Sequence, residues 1–272
     1  RGPRGTQVYL RIVRDLGSDS FDVAVTRDRV EVPVVETAHF GNVAYLKLDS
    51  FSERSAEKMA EALTELEQEE EAALIIDLRG NSGGLLDAVR DIVSMFVPTG
   101  PVVYVQERQG SPKELPVRSE LYRGYEFPIV VLVDGASASA SEILAGALRD
   151  NGRATLIGAT TFGKGLVQTV IPLADNRTAM SITTARYLTP AKTDINKEGI
   201  TPDYGVILSQ EKTIDLARGE LAHADDDQLQ AALTFLREGE IPAELLASAE
   251  EMKKSSRLGP ADSAGVAPDE LP

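Results

Sequence analysis

The sequence predicts an α/β fold layered around a mainly parallel sheet, and three observations carry that expectation. From about residue 40 onward, short apolar runs alternate with stretches of helical period. Leu74-Ile75-Ile76-Asp77-Leu78 is a nearly unbroken apolar run, as a strand covered on both faces requires. Glycine-containing turns separate the runs at the lengths that strand–helix connections use.

The elements follow in order. Arg1-Gly2-Pro3-Arg4-Gly5 reads as a loop, and Val8–Arg14 and Phe21–Thr26 alternate by two like strands. Two strands do not make a stable domain, so residues 1–34 read as the end of something larger or as a strap. Val43–Leu48 is a strand. Ser52 is placed to cap a helix reaching about Glu69, with Met59, Leu63 and Leu66 on one face. After the Leu74–Leu78 strand and a glycine-rich turn comes a helix near Leu85–Val97, then strands at Val102–Val105 and Ile129–Val133. Ser139–Asp150 is helical and closed by Asn151-Gly152, and Thr155–Ile157 is a further strand. Leu166–Leu173 and Thr178–Thr184 flank Asp175-Asn176 as a β-hairpin. Asp225-Asp226-Asp227 starts an amphipathic helix carrying Leu229, Ala232, Leu233 and Leu236; a shorter helix is expected near Pro242–Lys254 and a weakly ordered end from Ser255. The organisation is therefore residues 1–34, a core over 35–208, and an acidic helical segment over 209–272 with 14 Asp/Glu against 6 Lys/Arg.

The 272-residue chain has a formal net charge of −15, which disfavours nucleic acid or an anionic membrane as partner. It has no cysteine, which excludes disulfides and thiolate metal sites. No apolar run is long enough to span a bilayer. The first residue is Arg1 rather than Met, so a processed or trimmed chain is expected, with any targeting segment lost.

Three motifs carry chemistry. In Asp134-Gly135-Ala136-Ser137-Ala138-Ser139-Ala140-Ser141-Glu142 a strand ends, small residues turn, and a helix begins with Ser139 at its N-terminus. Free N–H groups there stabilise an oxyanion; the ordinary alternative is a helix cap, since Ser139 and Glu142 have the capping-box spacing. Thr161-Phe162-Gly163-Lys164-Gly165 supplies a lysine. The only histidines, His39 and His223, lie in no recognisable triad setting, so Lys164 is the candidate base for Ser139. Gly158–Gly165 also approaches the phosphate-loop pattern. Gly165 replaces its magnesium-binding hydroxyl, however, and Leu166–Val170 alternates like a strand where that loop opens a helix. In Asp77-Leu78-Arg79-Gly80-Asn81-Ser82-Gly83-Gly84 a buried strand ends in a glycine turn able to expose backbone donors; alone it is an ordinary strand-to-helix loop. His223 with Asp225–Asp227 matches no metal-ligand spacing.

Together these motifs, followed by Thr183-Thr184-Ala185-Arg186-Tyr187 and Gly199-Ile200-x-Pro202-Asp203, resemble the carboxyl-terminal processing (tail-specific) protease family over about residues 1–207. The resemblance implies a Ser/Lys endopeptidase with a crotonase- and Clp-like α/β core and no metal or organic cofactor. By motif position Ser139 is the nucleophile, Lys164 the general base, and Gln168 the residue that orients the lysine. The backbone N–H groups of Ala140 and of either Gly83 or Gly84 form the oxyanion hole. A neutral lysine requires a desolvated pocket around Lys164. If Lys164 and Gln168 both lie on a strand, their spacing puts them on one face. Ser181–Arg186 is expected to pair with a peptide strand, making Ser181, Thr183 and Arg186 substrate-binding candidates. The family carries a PDZ domain before its core, of which Arg1–Arg14 resembles only the last strand, and Asp134 stands where an Asn-containing lead is more usual. Expected partners are protein or peptide substrates with exposed apolar C-termini, with homo-oligomerisation through the C-terminal segment and an extracytoplasmic location. The alternative is a non-catalytic peptide-binding module on the same fold.

Overall fold

The computed structural model describes residues 2–14, 19–28, 33–68, 72–173, 178–248 and 250–252. The chain divides into two compact units, Arg1–Pro33 and Val34–Pro272. In the first, β1 (Gln7–Arg14) and β2 (Asp19–Thr26) pair antiparallel from Gln7 opposite Thr26 to Arg14 opposite Asp19. Arg11 grips Asp22 across the ladder through two 2.8 Å hydrogen bonds.

The second unit is built on a six-stranded sheet. Its strands are β3 (Val35–His39), β4 (Val43–Leu48), β5 (Ala73–Asp77), β8 (Ile129–Val133), β9 (Ala154–Gly158) and β12 (Tyr204–Gly205), in the spatial order β12-β9-β8-β5-β4-β3. Only β3–β4 is antiparallel. The apolar run at β5 works as a doubly covered strand: Leu74, Ile76 and Leu78 enter one core, while Ala73 and Ile75 enter the core on the other face. β8 divides in the same way, with Val131 and Val133 against Val130 and Leu132. Truncating Leu74, Ile75, Ile76, Leu78 or Leu132 to alanine would cost roughly 2–5 kcal/mol.

The larger core receives α1 (Ser55–Gln68), α2 (Leu86–Phe96) and α3 (Ala140–Asp150). Met59, Leu63 and Leu66 form the buried stripe of α1 as their spacing predicts. The helix starts three residues later than Ser52, because the buried Ser55 accepts from Ser52 N at 2.7 Å and donates to Ser50 O at 2.8 Å. A second sheet, in the order β10-β11-β6-β7, is antiparallel: β6 is Pro101–Glu107, β7 Lys113–Pro116, β10 Leu166–Pro172 and β11 Ala179–Leu188.

Beyond the sheets, α4 (Gln210–Arg218) is capped by Ser209 and by Gly219 in the left-handed region; it buries none of its residues. α5 (Asp227–Glu238) packs Leu229, Ala231, Ala232 and Leu233 into the second core. Among the described residues of the expected helix over 242–254, no single helix runs through. Ala243–Leu245 is one 3-10 turn, and helical geometry returns at 250–252. The expected hairpin tip at Asp175-Asn176 and the segment from Ser255 lie outside the described residues. Among the described residues, no helix is long and apolar enough to cross a membrane.

Candidate active site

The three motif turns leave the carboxyl ends of β5, β8 and β9, which are neighbours in the sheet. A parallel α/β sheet presents its binding crevice at that end, so topology alone gathers Arg79–Gly84, Asp134–Ser139 and Ala159–Gly165.

Hydrogen bonds then lock the first two turns together. Asp134 accepts from Gly80 N at 3.1 Å and from Ala136 N and Ser137 N at 3.0 Å. Desolvation, with Asp77 close by, pushes its carboxyl above the usual aspartate range, although those N–H donors pull the other way. Ser137 Oγ donates to Leu78 O at 2.9 Å and accepts from Asp134 N at 3.0 Å. The fully buried Asn81 receives Ala138 N (3.0 Å) and Ser141 Oγ (2.8 Å) on its carbonyl, donates Nδ2 to Leu48 O (2.6 Å), and accepts Gly83 N on Oδ1 (2.9 Å).

Ser139 tops this scaffold as a half-buried residue at φ 57°, ψ −110°. A non-glycine residue held there stores about 1–3 kcal/mol, and such strain clusters at functional sites. Gly83 is pressed against Ser139. A Cβ at Gly83 would lie 2.6 Å from Ala138 O, 2.9 Å from Ala140 N and 2.9 Å from Ser139 Cβ, and its φ of 103° is glycine-favoured.

Glu142 joins the serine turn to the lysine loop. Its carboxylate, with no exposed surface, accepts from Ser139 N (2.9 Å), Thr161 Oγ1 (2.6 Å), Gly163 N (2.7 Å) and Lys164 N (2.8 Å). The Ser-x-x-Glu spacing signalled a helix cap. What it did not signal is that the same carboxylate closes the opposite loop. That loop is supported from behind by residues 195–200. Thr161 N donates to Ile200 O (3.1 Å), Ile200 N to Thr161 Oγ1 (2.7 Å), and Lys197 N to Gly163 O (2.8 Å). A Cβ on Gly199 would come within 2.2 Å of Thr161 O, which explains the Gly-Ile signature.

Two expectations are corrected. Lys164 is exposed, not desolvated; it is flanked in sequence by Gly163 and Gly165, which contribute no side chains, with the half-exposed Phe162 before them. Among the described residues its ammonium has no carboxylate partner and no hydrogen bond to Ser139. The shared-face argument for Gln168 also fails. Lys164 precedes β10, and a register shift between Val167 and Gln168 interrupts the alternation. Gln168 is exposed and lies opposite Thr183.

On β11, Ser181 and Thr183 are exposed and have β10 on one side only, because pairing with β6 begins at Ala185. Arg186 is already engaged by Asp194 (2.8 Å) and Gln106 (3.1 Å). His223 packs edge-on against Phe40 with ring centres 5.1 Å apart, a structural role. Leu166–Pro172 is a strand, so Gly158–Gly165 does not open a helix as a phosphate loop must.

Residues 42–206 match the model of peptidase family S41. A carboxyl-terminal-processing protease of Synechocystis is 39% identical over 244 residues, covering 88% of this chain and 55% of that protein. A carboxy-terminal-processing protease of Bartonella bacilliformis is 38% identical over 230 residues, covering 81% and 52%. The chain thus spans about half the length of these relatives. Among solved structures, a photosystem II D1 C-terminal processing protease superposes with a TM-score of 0.63 at 33% identity, over 84% of this chain and 62% of that one. With three of its signatures gathered at one sheet end and the family match running over residues 42–206, more than half of the chain, the chain belongs to peptidase family S41.

Proposed function

We propose that the chain is the catalytic part of a serine endopeptidase that cleaves unfolded or C-terminally exposed proteins near their C-termini, with Ser139 as nucleophile and Lys164 as general base. The observation that carries this reading is the strained Ser139 at the N-terminus of α3, tied by Glu142 to the backbone of Lys164. Lys164 Nζ, when neutral, takes the Ser139 hydroxyl proton. Ser139 Oγ attacks the scissile carbonyl, the amine leaves with a proton, and water hydrolyses the acyl-enzyme.

The oxyanion donors are Ala140 N and Gly84 N in this reading. Gly83 N is held by Asn81 Oδ1. Phe51 N bonds Gly83 O and Leu85 N bonds Phe51 O, so the Gly84 N–H points away from Phe51, and no acceptor holds it among the described residues. Such preorganised donors contribute about 2.7–4 kcal/mol each to a transition state. Lys164 becomes desolvated only when a substrate lies over it, and catalytic contacts do tighten on binding. Ser181 and Thr183, on the open edge of β11, offer a strand for the substrate to pair with. Gln168 is kept as an orienting residue. Residues 1–34 are read as the end of a PDZ domain. A homo-oligomer through the C-terminal segment would use α4, since α5 spends its apolar face on the sheet. An extracytoplasmic location fits these assignments.

The test is degradation of an unfolded protein with an apolar C-terminus, by the chain alone and with a PDZ domain placed before it. Cleavage by the parent and none by Ser139→Ala supports the reading. A non-catalytic peptide-binding module is favoured by the absence of a Ser139–Lys164 contact; peptide binding without turnover in the PDZ-bearing parent would select it.

A further inference from the structure

Asp225, Asp226 and Asp227 look alike in sequence, but only Asp226 is enclosed, at 3% exposure. It caps α5 by accepting Leu229 N at 3.1 Å, and it also reaches across 147 positions of sequence to Arg79. Arg79 is 5% exposed, and all three nitrogens of its guanidinium face acceptors. Nε lies 3.0 Å from each Asp77 carboxylate oxygen. Nη2 reaches Asp77 Oδ2 at 2.5 Å and Asp226 Oδ2 at 2.8 Å, and Nη1 reaches Asp226 Oδ1 at 2.9 Å and Gln228 Oε1 at 3.1 Å. The acceptors are fixed in turn: Tyr45 donates to Asp77 Oδ2 at 2.7 Å, and Gln228 Nε2 donates to Val206 O at 2.7 Å.

A buried charge network of this kind is a poor source of net stability compared with apolar packing, but it fixes geometry, because each charge tolerates only the paired arrangement. What it fixes here is the backbone from which the glycine turn departs. Arg79 N itself donates to Asp77 Oδ1 at 2.8 Å, and Gly80 follows at φ 74°. Asn81, whose side chain holds Gly83 N and whose carbonyl holds Ala138 N, comes next. The C-terminal helix therefore grips the turn from the sheet face opposite α3.

The structure assigns Asp226 and Arg79 a positioning role: α5, through this ion triad, sets the placement of the Gly80–Gly84 turn against Ser139. The kinetic consequence rests on the peptidase reading, whereas the structural consequence does not. Hydrogen exchange at Gly80, Asn81 and Gly83 is measured in the parent, Asp226→Ala, Asp226→Asn and Asp225→Asn. The expected result is at least tenfold faster exchange at those amides in D226A, partial recovery in D226N, which keeps a capping oxygen, and no change in D225N. In parallel, at a temperature where circular dichroism shows the variants folded, kcat falls at least tenfold in D226A while KM stays within twofold. Faster exchange confined to α5, or a KM rise with unchanged kcat, overturns the assignment. If D226A does not fold, D226N against D225N makes the same comparison. A parent without turnover defeats the peptidase reading and leaves the exchange result to decide this one.

Discussion

Ser139 and Lys164 stand on loops that leave neighbouring regions of one sheet end, yet the two loops are held in different ways. The serine turn is fixed from three directions, by Asp134, by Asn81 and by Glu142, and its backbone is strained before any substrate arrives. The lysine loop is anchored through the Thr161 hydroxyl and its own backbone, to Glu142, Ser137 and residues 195–200, while the Lys164 side chain is exposed and has no partner among the described residues. The difference teaches a division of labour. On the proposed reading, Ser139 and the backbone donors beside it are held in place before a substrate binds, and Lys164 is completed by whatever covers it.

The sharpest way to break this comparison is to remove the piece both loops share. Glu142→Ala leaves four donors facing a cavity, so a stability loss of about 3–5 kcal/mol is expected, with activity down more than a hundredfold. Denaturant unfolding and turnover measure both; activity within threefold of the parent would show that Glu142 is only a cap.

Gly83→Ala tests the serine side alone. Its Cβ would meet three atoms of the serine turn at 2.9 Å or less, so a cost of about 1–3 kcal/mol and a drop in kcat are expected, and an unchanged kcat contradicts the close packing.

Asp134 makes the same side sensitive to pH. An acid whose folded pKa is raised binds its proton more tightly in the folded state, so stability falls as pH rises from about 3.9 through the folded value. Asp134→Asn removes that term. Its Tm relative to the parent is therefore expected to be higher at about pH 7 than at about pH 4. A Tm difference independent of pH sinks the assignment.

The smallest effect belongs to the lysine side. Ile182 is 37% exposed on the β10–β11 ribbon, so Ile182→Thr should move stability by no more than about 0.5 kcal/mol in chemical denaturation. A larger loss would mean that the ribbon is packed, not open.

The legible parts of the molecule were those governed by local period. β5 and β8 announce themselves as apolar runs, α1 by its Met59–Leu63–Leu66 stripe, and α3 by its Ser-x-x-Glu start. α4 was missed because its mostly polar face buries nothing, leaving no apolar stripe to read. The Pro242–Lys254 helix was over-read, since local composition does not report the turn at Ala243–Leu245. Around the candidate site, the ordered motifs named the three turns that the sheet brings together. The joint role of Glu142 and the pairing of Asp226 with Arg79 join residues 19 to 147 positions apart, and no local pattern encodes them. The solvent exposure of Lys164 was also invisible, because burial of a flexible lysine depends on neighbours contributed by other loops.

The proposed function makes Ser139 a preformed nucleophile that needs Lys164 to act. Its most direct test is the rate at which a peptidyl phosphonate with an extended apolar segment labels the protein, read by mass spectrometry in the parent and in Lys164→Ala. Label is expected on Ser139 alone, with a rate at least a hundredfold lower in the variant. Label on another residue, or equal rates in the two proteins, would contradict it.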